Sequence, residues 1–280
     1  LRAAATAERP VVAPVRGEAQ RGGPWLPPLV GGYVAREAVE AQVQEAVRRS
    51  RLTVLYGAAG LGKTTLATRV VGSAAVRAHF SAGVLWVAAA QPPATPPYQH
   101  WCEALQVPPP AGASWQATWE RWVAGASQRW LVVLDDVVDV VALQPLLAAL
   151  SGASALLVTT QDGAVAEQLR GPWTAPEVTR VALPPLTPVE GRALLEQALA
   201  RELTAAEWPV VERLGTLLGW QPLALRLTLL EGQAGAWADL LAELERPGGG
   251  RPLGVGAWLT RQWARLGAQA EQPSRQALLQ

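Results

Sequence analysis

The sequence lacks methionine altogether, and it has one cysteine, two histidines and one phenylalanine in 280 residues. A single cysteine, Cys102, excludes an intrachain disulfide and indicates a reducing compartment. The histidines and the cysteine together number three, which argues against a metal site built from these side chains. No apolar run approaches the roughly 20 residues that a membrane span needs, and no charged and then apolar secretory leader opens the chain. We therefore expect a soluble, cytoplasmic protein without a membrane partner.

An excess of charge of either sign is also missing. Lys and Arg together number 24 and Asp and Glu 23, which gives a net charge of +1 at pH 7. Nucleic-acid binding usually requires a strong basic patch, so the charge balance argues against a nucleic-acid partner. The missing methionine extends to position 1, where the chain begins Leu1-Arg2, and this favours an excised segment of a longer polypeptide.

Lysine is nearly absent as well, because 23 of the 24 basic residues are arginine and one, Lys63, is lysine. Arginine does not replace lysine where a compact ammonium must meet a point of negative charge. The alternative is that one lysine survived by chance, but it would have to fall inside a glycine-rich phosphate-loop pattern by accident. The position of Lys63 therefore indicates a functional ammonium.

Hydrophobic patterns divide the chain into four parts. Residues 1–29 are rich in Ala, Pro, Gly and Arg and lack periodicity, which predicts a flexible lead-in. Over residues 30–186, helical and strand patterns alternate in the β-α-β order of a parallel sheet. Residues 187–246 show helical patterns only. Residues 247–280 open with a Pro-Gly-Gly-Gly hinge and continue with a helical pattern after Gly256.

Five short apolar runs predict the strands of the α/β part. These runs cover residues 52–56, 84–87, 130–134, 155–159 and 178–182. The helical patterns beside them cover residues 36–48, about 63–77, both sides of a Pro-rich turn at 108–110, and 141–150. In the later part, Thr187 with Glu190 and Thr204 with Glu207 have the spacing of capping boxes that open helices. The sequence therefore predicts a parallel sheet followed by a helical bundle.

A glycine-rich loop joins the first predicted strand to the second predicted helix. It has the P-loop pattern, and it runs Gly57-Ala58-Ala59-Gly60-Leu61-Gly62-Lys63-Thr64-Thr65. Glycines let backbone N–H groups face phosphate oxygens, and the helix N-terminus adds positive potential. We expect Lys63 to bridge the β- and γ-phosphates, Thr64 to ligate Mg²⁺, and Thr65 to lie near the α-phosphate. An incidental glycine turn is the alternative, disfavoured by the flanking strand and helix.

The third predicted strand ends in two carboxylates, Asp135 and Asp136. The carboxyl ends of parallel strands face the ligand crevice in such folds. We expect Asp135 to hold Mg²⁺ through water and Asp136 to orient or deprotonate the attacking water, with Lys63 as the third catalytic residue. On local grounds the pair could equally cap a helix. Behind a P-loop, the catalytic interpretation is favoured.

Four further segments carry a family resemblance. They are Tyr33-Val34-Ala35-Arg36-Glu37, Trp86-Val87, Val158-Thr159-Thr160-Gln161 and Gly219-Trp220-Gln221-Pro222-Leu223-Ala224. Together with the P-loop and the acidic strand end, they resemble the NB-ARC type of STAND nucleotide switch over residues 30 to about 270. The resemblance implies an α/β fold, namely a P-loop NTPase with a five-stranded parallel sheet, followed by a helical-bundle lid domain that encloses the nucleotide.

The resemblance also implies how the base is held. Tyr33, Val34 and Arg36 would contact the adenine region, although Ala35 stands where the family has glycine. Pro222 would close over the base. On local grounds, a helix that ends and a helix that restarts explain the segment around Pro222 equally well.

The segment that ends in Gln161 corresponds to the part of the family that senses the γ-phosphate. Thr160 and Gln161 would read this phosphate, but Gln161 replaces an arginine. A neutral amide loses the charge-assisted, bidentate clamp that arginine supplies. The replacement predicts slow hydrolysis or weak discrimination between ATP and ADP.

The family continues into a winged-helix domain with a Met-His-Asp motif that grips ADP. That motif is missing, so residues 247–280 are predicted to be a hinge and the start of a truncated winged helix. The whole pattern predicts an ATP/ADP-binding switch module with Mg²⁺ that hydrolyses ATP slowly and controls the conformation of a larger protein. Self-association in the ATP state is the predicted interaction, and sensor and effector domains would lie outside this segment. Two alternatives stay open: a non-catalytic nucleotide-locked scaffold, and an AAA+-like ATPase that acts on nucleic acid.

Overall fold

The computed structural model describes eight stretches of the chain, namely residues 32–88, 98–99, 102, 107–125, 129–140, 155–169, 177–230 and 236–245. The predicted lead-in at 1–29, the helix at 141–150, and the hinge and last helix within 247–280 lie outside these residues. So does most of the helical stretch expected before the turn at 108–110.

The chain divides into two compact units. The first, here called the sheet unit, contains Glu37–Ala58 and Lys63–Leu183. The second, the helical unit, contains Val30–Arg36, Ala59–Gly62 and Pro184–Gln280. The tip of the glycine-rich loop therefore clusters with the helical unit, while both ends of the loop belong to the sheet unit.

The sheet unit is built on five parallel strands, as the sequence predicts. They are β1 Leu52–Tyr56, β2 Gly83–Ala88, β3 Trp130–Asp135, β4 Ala155–Thr160 and β5 Val178–Ala182. Their order across the sheet is β2-β3-β4-β1-β5. Every residue of β3 and β4 is buried, which explains why both strands are apolar up to the polar residues at their carboxyl ends. The order places the carboxyl ends of β1, β4 and β3 side by side.

Five helices of the sheet unit are described, α1 Glu37–Arg49, α2 Lys63–Gly72, α3 Ala74–His79, α4 Trp115–Gly125 and α5 Gly163–Gln168. Helix α1 buries Val43, Ala46 and Val47, the face that the 3.6-residue period predicts. The prediction of one helix over about 63–77 is wrong. The chain breaks at Ser73, whose hydroxyl accepts a hydrogen bond from the N–H of Val76 and starts α3 as an N-cap.

Tryptophan fills a large part of the sheet-unit core. Trp119 is 1% exposed and stacks on Trp122 at 5.6 Å between ring centroids. Trp122 in turn lies 5.0 Å from Trp130, the first residue of β3. These rings link α4 to the sheet, the kind of aromatic packing that large side chains favour.

The helical unit contains four described helices, α6 Pro188–Leu199, α7 Trp208–Leu217, α8 Pro222–Leu230 and α9 Ala236–Glu245. Helix α6 starts with the predicted capping box between Thr187 and Glu190, and Pro188 occupies its first turn. Thr204 and Glu207 also exchange hydrogen bonds. They do not open a helix as predicted, because α7 begins at Trp208. The second box instead closes the turn that leads into α7.

Trp220 connects the helices of the helical unit. Its backbone is left-handed at φ +50°, its N–H donates to the carbonyl of Gly215, and its carbonyl accepts from the N–H of Leu186. A Cβ on Gly191 of α6 or on Gly215 of α7 would lie 2.5 Å from the indole ring. The ring therefore fills a space that exists because both helices carry glycine where they meet it.

Candidate nucleotide site

The loop between β1 and α2 has the backbone that a phosphate cradle requires. Gly60 and Gly62 have φ values of +77° and +88°, a left-handed region that is costly for residues with a Cβ. Consecutive loop residues in such conformations turn backbone N–H groups toward one side and form anion-binding concavities. The glycines of the motif are thus explained by the loop geometry.

Lys63 is the first residue of α2, and its side chain is only 7% exposed. Its Nζ donates hydrogen bonds to the carbonyls of Gly57, at 2.9 Å, and Ala58, at 3.0 Å. Burial lowers the pKa of Lys63, while the negative charges of Asp136 and Asp135 oppose this shift. The ammonium is therefore folded into its own loop instead of pointing into bulk water, which suits an anion-binding role.

Thr64 and Asp135, the two predicted Mg²⁺ ligands, contact each other. The Thr64 hydroxyl lies 3.0 Å from both carboxylate oxygens of Asp135 and donates to them. Burial raises the pKa of Asp135, and hydrogen bonds from Thr159 and Thr64 counteract part of this effect. A hydroxyl and a buried carboxylate are the hard oxygen donors that Mg²⁺ prefers. These two residues fit the ion and would hold it.

Sequence reasoning missed Thr159. Its hydroxyl, which is buried, donates to Asp135 Oδ1 at 2.6 Å and accepts from the N–H of Asp136 at 2.8 Å. The available signal was a pair of threonines at the end of the otherwise apolar strand β4. Because β4 pairs with β3 in parallel up to Leu134 and Val158, the next residue on each strand meets the other. Thr159 therefore orients both acidic residues.

Asp136 follows β3 directly and is half-buried. Its backbone is left-handed, with φ +60°, a conformation that aspartate adopts more easily than most residues. Oδ1 of Asp136 accepts a hydrogen bond from Nε2 of Gln161 at 2.8 Å. The residue predicted to act on water and the residue predicted to sense phosphate are thus direct partners.

The other predicted phosphate contacts have different positions. The hydroxyl of Thr160 is buried and donates to the carbonyl of Val137 at 2.7 Å. This bond ties the end of β4 to the loop after β3, so the described contacts of Thr160 are structural. Thr65 is half-buried in the first turn of α2. Contact of either residue with phosphate stays a prediction.

The predicted adenine-binding residues belong to the helical unit. Arg36 is buried, and its Nη2 donates to the carbonyls of Pro184 and Pro185 at 2.7 and 3.0 Å. Burial lowers the pKa of Arg36, while Glu190 and Tyr33 oppose the shift. Val34 packs against the helical core. These contacts fix the segment before α1, and its contact with adenine stays a prediction.

The segment around Pro222, the first residue of α8, lies against the tip of the glycine-rich loop within the helical unit. The N–H of Leu223 donates to the carbonyl of Gly60 at 3.2 Å. A Cβ on Gly60 would lie 2.9 Å from the Cβ of Leu223. The start of α8 and residues Ala59–Gly62, which include Leu61, are thus in close contact, whereas the role of Pro222 toward the base stays a prediction.

Comparisons with known proteins give structural neighbours only. No protein-family model matches the chain, and no curated protein matches it. A STAND protein (signal transduction ATPase with numerous domains) with a tetratricopeptide repeat sensor from Pyrococcus horikoshii has 18% identity and a TM-score of 0.45, over 78% of this chain and 33% of that one. The present chain therefore spans a third of the length of that protein.

Two other solved structures are matched by this chain over a larger share of their own length than the STAND protein is. The Walker-type ATPase of Pyrococcus abyssi has 11% identity and a TM-score of 0.52, over 85% of this chain and 77% of that one. The Orc1 protein of Aeropyrum pernix, solved in complex with DNA, has 20% identity and a TM-score of 0.50, over 79% of this chain and 68% of that one. Among the described residues, no helix has the length and apolar character needed to cross a membrane. With its five parallel strands and glycine-rich loop, the chain has the α/β fold of P-loop ATPases.

Proposed function

We propose that the chain is an ATP/ADP-binding switch module of the STAND type, which hydrolyses ATP slowly with Mg²⁺ and controls the conformation and self-association of a larger protein. The observation that carries the proposal is the buried ammonium of Lys63 within the glycine-rich loop, next to Thr64 and Asp135. A buried cation needs an anionic partner. A triphosphate fits this need and also explains the hydroxyl and carboxylate beside it.

Binding of the phosphates rests on the loop and on α2. Backbone N–H groups of the loop and the N-terminus of α2 would receive the β- and γ-phosphates. Lys63 would leave the carbonyls of Gly57 and Ala58 for the phosphate oxygens, which make stronger, charge-assisted hydrogen bonds. Mg²⁺, held by Thr64 and Asp135, would supply charge neutralisation for the same phosphates.

Hydrolysis would use Asp136. In this step a water oxygen forms a bond to the γ-phosphorus, and the bond from that phosphorus to the β,γ-bridging oxygen breaks with its electron pair leaving on ADP. One proton of the water passes to the Asp136 carboxylate and then to solvent. Gln161 replaces the arginine that the resembled family uses, so less charge is available to stabilise the transition state. We therefore infer slow turnover, as suits a switch more than a metabolic enzyme.

The switch would depend on the contact between the loop tip and α8. Gly60 and Leu223 share a hydrogen bond and closely packed atoms, so a loop that changes shape with the bound phosphates would disturb the start of α8. Tyr33, Val34, Arg36 and Pro222 would contribute to the adenine site. Self-association in the ATP state, and the sensor and effector that it connects, would belong to the larger protein.

Substitution of Lys63 by alanine tests nucleotide binding. We expect Lys63→Ala to weaken ATP binding by roughly 10- to 100-fold, because it removes a hydrogen-bonding charge worth about 1.5–3 kcal/mol. Isothermal titration calorimetry with ATP and ADP in the presence of Mg²⁺ gives the measurement. Arg77→Ala, which removes an exposed cation from α3, is the control and should bind like the unchanged protein. Failure of the unchanged protein to bind either nucleotide at about millimolar concentration would overturn the proposal.

A non-catalytic, nucleotide-locked scaffold is the second candidate, favoured by the neutral Gln161 in place of arginine. The two candidates differ in single-turnover phosphate release. A switch converts bound ATP to ADP with Mg²⁺, and a locked scaffold keeps the nucleotide with which it was purified.

An ATPase acting on nucleic acid is the third candidate, favoured by the likeness to Orc1, which was solved in complex with DNA. The net charge of +1 opposes it. Salt-sensitive binding to single-stranded DNA would support this candidate.

A further inference from the structure

A hydrogen-bonded pair of side chains joins the carboxyl ends of β3 and β4. Nε2 of Gln161 donates to Oδ1 of Asp136 at 2.8 Å. Gln161 is exposed and Asp136 is half-buried, so the pair stands at the open edge of the sheet.

The backbone of Asp136 is also held in an uncommon state. Its φ of +60° is left-handed, and its N–H donates to the hydroxyl of Thr159, which also contacts Asp135. A residue kept in a sparsely populated conformation by its surroundings often has a functional reason for it. In this chain the left-handed turn separates two adjacent aspartates, so that Asp135 contacts Thr64 and Asp136 contacts Gln161.

We propose that Gln161 is a positioning residue for ATP hydrolysis, which holds the Asp136 carboxylate in the orientation that acts on the attacking water. The proposal rests on the proposed function and changes the role of Gln161 from a reader of the γ-phosphate to a partner of the catalytic carboxylate. Its basis is the 2.8 Å bond between two side chains at one sheet edge, together with the strained backbone that presents Asp136 to it. The bond leaves the chemistry to Asp136 and removes its rotational freedom.

The two roles predict different effects for Gln161→Ala. A positioning residue affects turnover and leaves binding alone, so kcat should fall roughly 10- to 100-fold, the cost of misplacing a catalytic group. The Kd values for ATP and ADP should stay within about twofold of those of the unchanged protein, because a positioning residue makes no contact with the nucleotide. A phosphate reader would instead lose affinity for ATP and keep its affinity for ADP. Selective loss of ATP binding would overturn the proposal.

A double-mutant cycle tests whether Gln161 acts through Asp136. Single-turnover hydrolysis and nucleotide binding are measured for Gln161→Ala, Asp136→Asn and the double variant. If Gln161 only positions Asp136, its replacement has no further effect once Asp136 is changed. If the effects of the two single substitutions on the hydrolysis rate multiply in the double variant, the proposal is overturned. Gln116→Ala is the matched control, because Gln116 makes the same kind of exposed amide-to-carboxylate bond, with Glu120 at 2.9 Å, on α4, and it should hydrolyse ATP like the unchanged protein.

Exchange of the amide and the carboxylate between positions 161 and 136 tests the contribution of their hydrogen bond to stability separately from its contribution to hydrolysis. Gln161→Glu alone places two carboxylates together and should lower Tm. Gln161→Glu combined with Asp136→Asn restores a hydrogen-bonded amide and carboxylate in reverse, so Tm should recover while hydrolysis stays at the level of Asp136→Asn. Recovery of hydrolysis in the exchanged pair would overturn the proposal.

The failure of the proposal can be told apart from the failure of the proposed function. Unchanged protein that binds ATP but releases no phosphate overturns the catalytic part of the proposed function and the positioning role together. Unchanged protein that hydrolyses ATP, with a Gln161→Ala effect that persists in the Asp136→Asn background, overturns the positioning role alone.

Discussion

At the scale of one residue, the buried carboxylate of Asp135 illustrates how a predicted cation ligand can lower the stability of the fold. Its carboxylate is 8% exposed and is surrounded by the hydroxyls of Thr64 and Thr159. Burial of a charge is costly, and here the cost raises the pKa of Asp135 despite the two hydrogen bonds and the positive charge of Lys63. A divalent cation beside the carboxylate would offset this cost.

Replacement of Asp135 by asparagine should therefore stabilise the protein in EDTA. Asn keeps an oxygen that accepts from the two hydroxyls and removes the buried charge, so the free energy of unfolding should rise by roughly 1 kcal/mol at pH 7. Because the folded state raises the pKa of Asp135, stability of the unchanged protein falls as pH rises from the ordinary carboxyl value toward the raised one. The advantage of Asp135→Asn should thus disappear toward acid pH.

Urea denaturation at several pH values measures this effect. Asp239→Asn, a change of an exposed aspartate on α9, is the control and should not raise the free energy of unfolding as Asp135→Asn does. We also expect ATP with Mg²⁺ to stabilise the unchanged protein, and the Asp135→Asn protein to lose this stabilisation. An Asp135→Asn protein that is less stable than the unchanged one in EDTA would contradict this account.

Single residues divide clearly into those that sequence could identify and those that it could not. Lys63, Thr64 and Asp135 follow from local patterns whose spacing is set by one loop and one strand end. Thr159 could not be assigned, because its role depends on the pairing of β4 with β3 across a long stretch of chain. For the same reason, the sequence identified Gln161 but not its bond to Asp136.

At the scale of elements, the loop and α8 make a contact that depends on the absence of a side chain. Gly60 and Gly62 are both left-handed, but a Cβ on Gly60 would meet Leu223 at 2.9 Å, and a Cβ on Gly62 would meet nothing within 4 Å. Comparison of Gly60→Ala with Gly62→Ala therefore separates backbone strain from steric conflict. Both should lose about 1–2 kcal/mol of unfolding free energy from strain, and Gly60→Ala should lose about 1–3 kcal/mol more.

Chemical denaturation of the nucleotide-free protein tests the difference. Equal losses in the two variants would show that Leu223 moves away at little cost, and that the contact is too soft to transmit a change in the loop. A larger loss in Gly60→Ala supports a stiff contact, which the switch requires.

The packing of α6 and α7 on Trp220 gives a second comparison between glycines. Gly191→Ala and Gly215→Ala each place a Cβ 2.5 Å from the indole ring, and overpacking of this kind costs about 1–3 kcal/mol. Gly163→Ala, at the start of α5, meets nothing within 4 Å and should be neutral or stabilising, since alanine is the better helix former. Unfolding curves in urea measure all three, and a stabilised Gly215→Ala would show that the ring is not confined.

Elements were predictable where their signal was local. Strand runs and the face of α1 follow from periodicity, and the first capping box follows from the three-residue separation of Thr187 and Glu190. The break at Ser73 was missed although Gly72 and Ser73 are both poor helix formers, of the kind found at helix ends. The Ser73 hydroxyl then caps the next helix. The strand order of the sheet does not follow from periodicity, since that order depends on which strands pair across crossover connections.

At the scale of the whole molecule, the chain has the α/β fold of P-loop ATPases, and the switch role proposed for it would involve a larger protein. The sheet unit carries Lys63, Thr64, both acidic residues and Gln161, and the helical unit carries Arg36 and Pro222.

The burial of Lys63 affects how this chain can be covalently modified. No other lysine exists in the sequence, and the ε-amine of this one is bonded inside the loop. Enzymes that attach groups to lysine side chains, and reagents that acylate them, therefore find one lysine in this sequence, and its amine is buried within the loop. Covalent labelling of this amine would then report the opening of the loop, without any tag or probe introduced elsewhere.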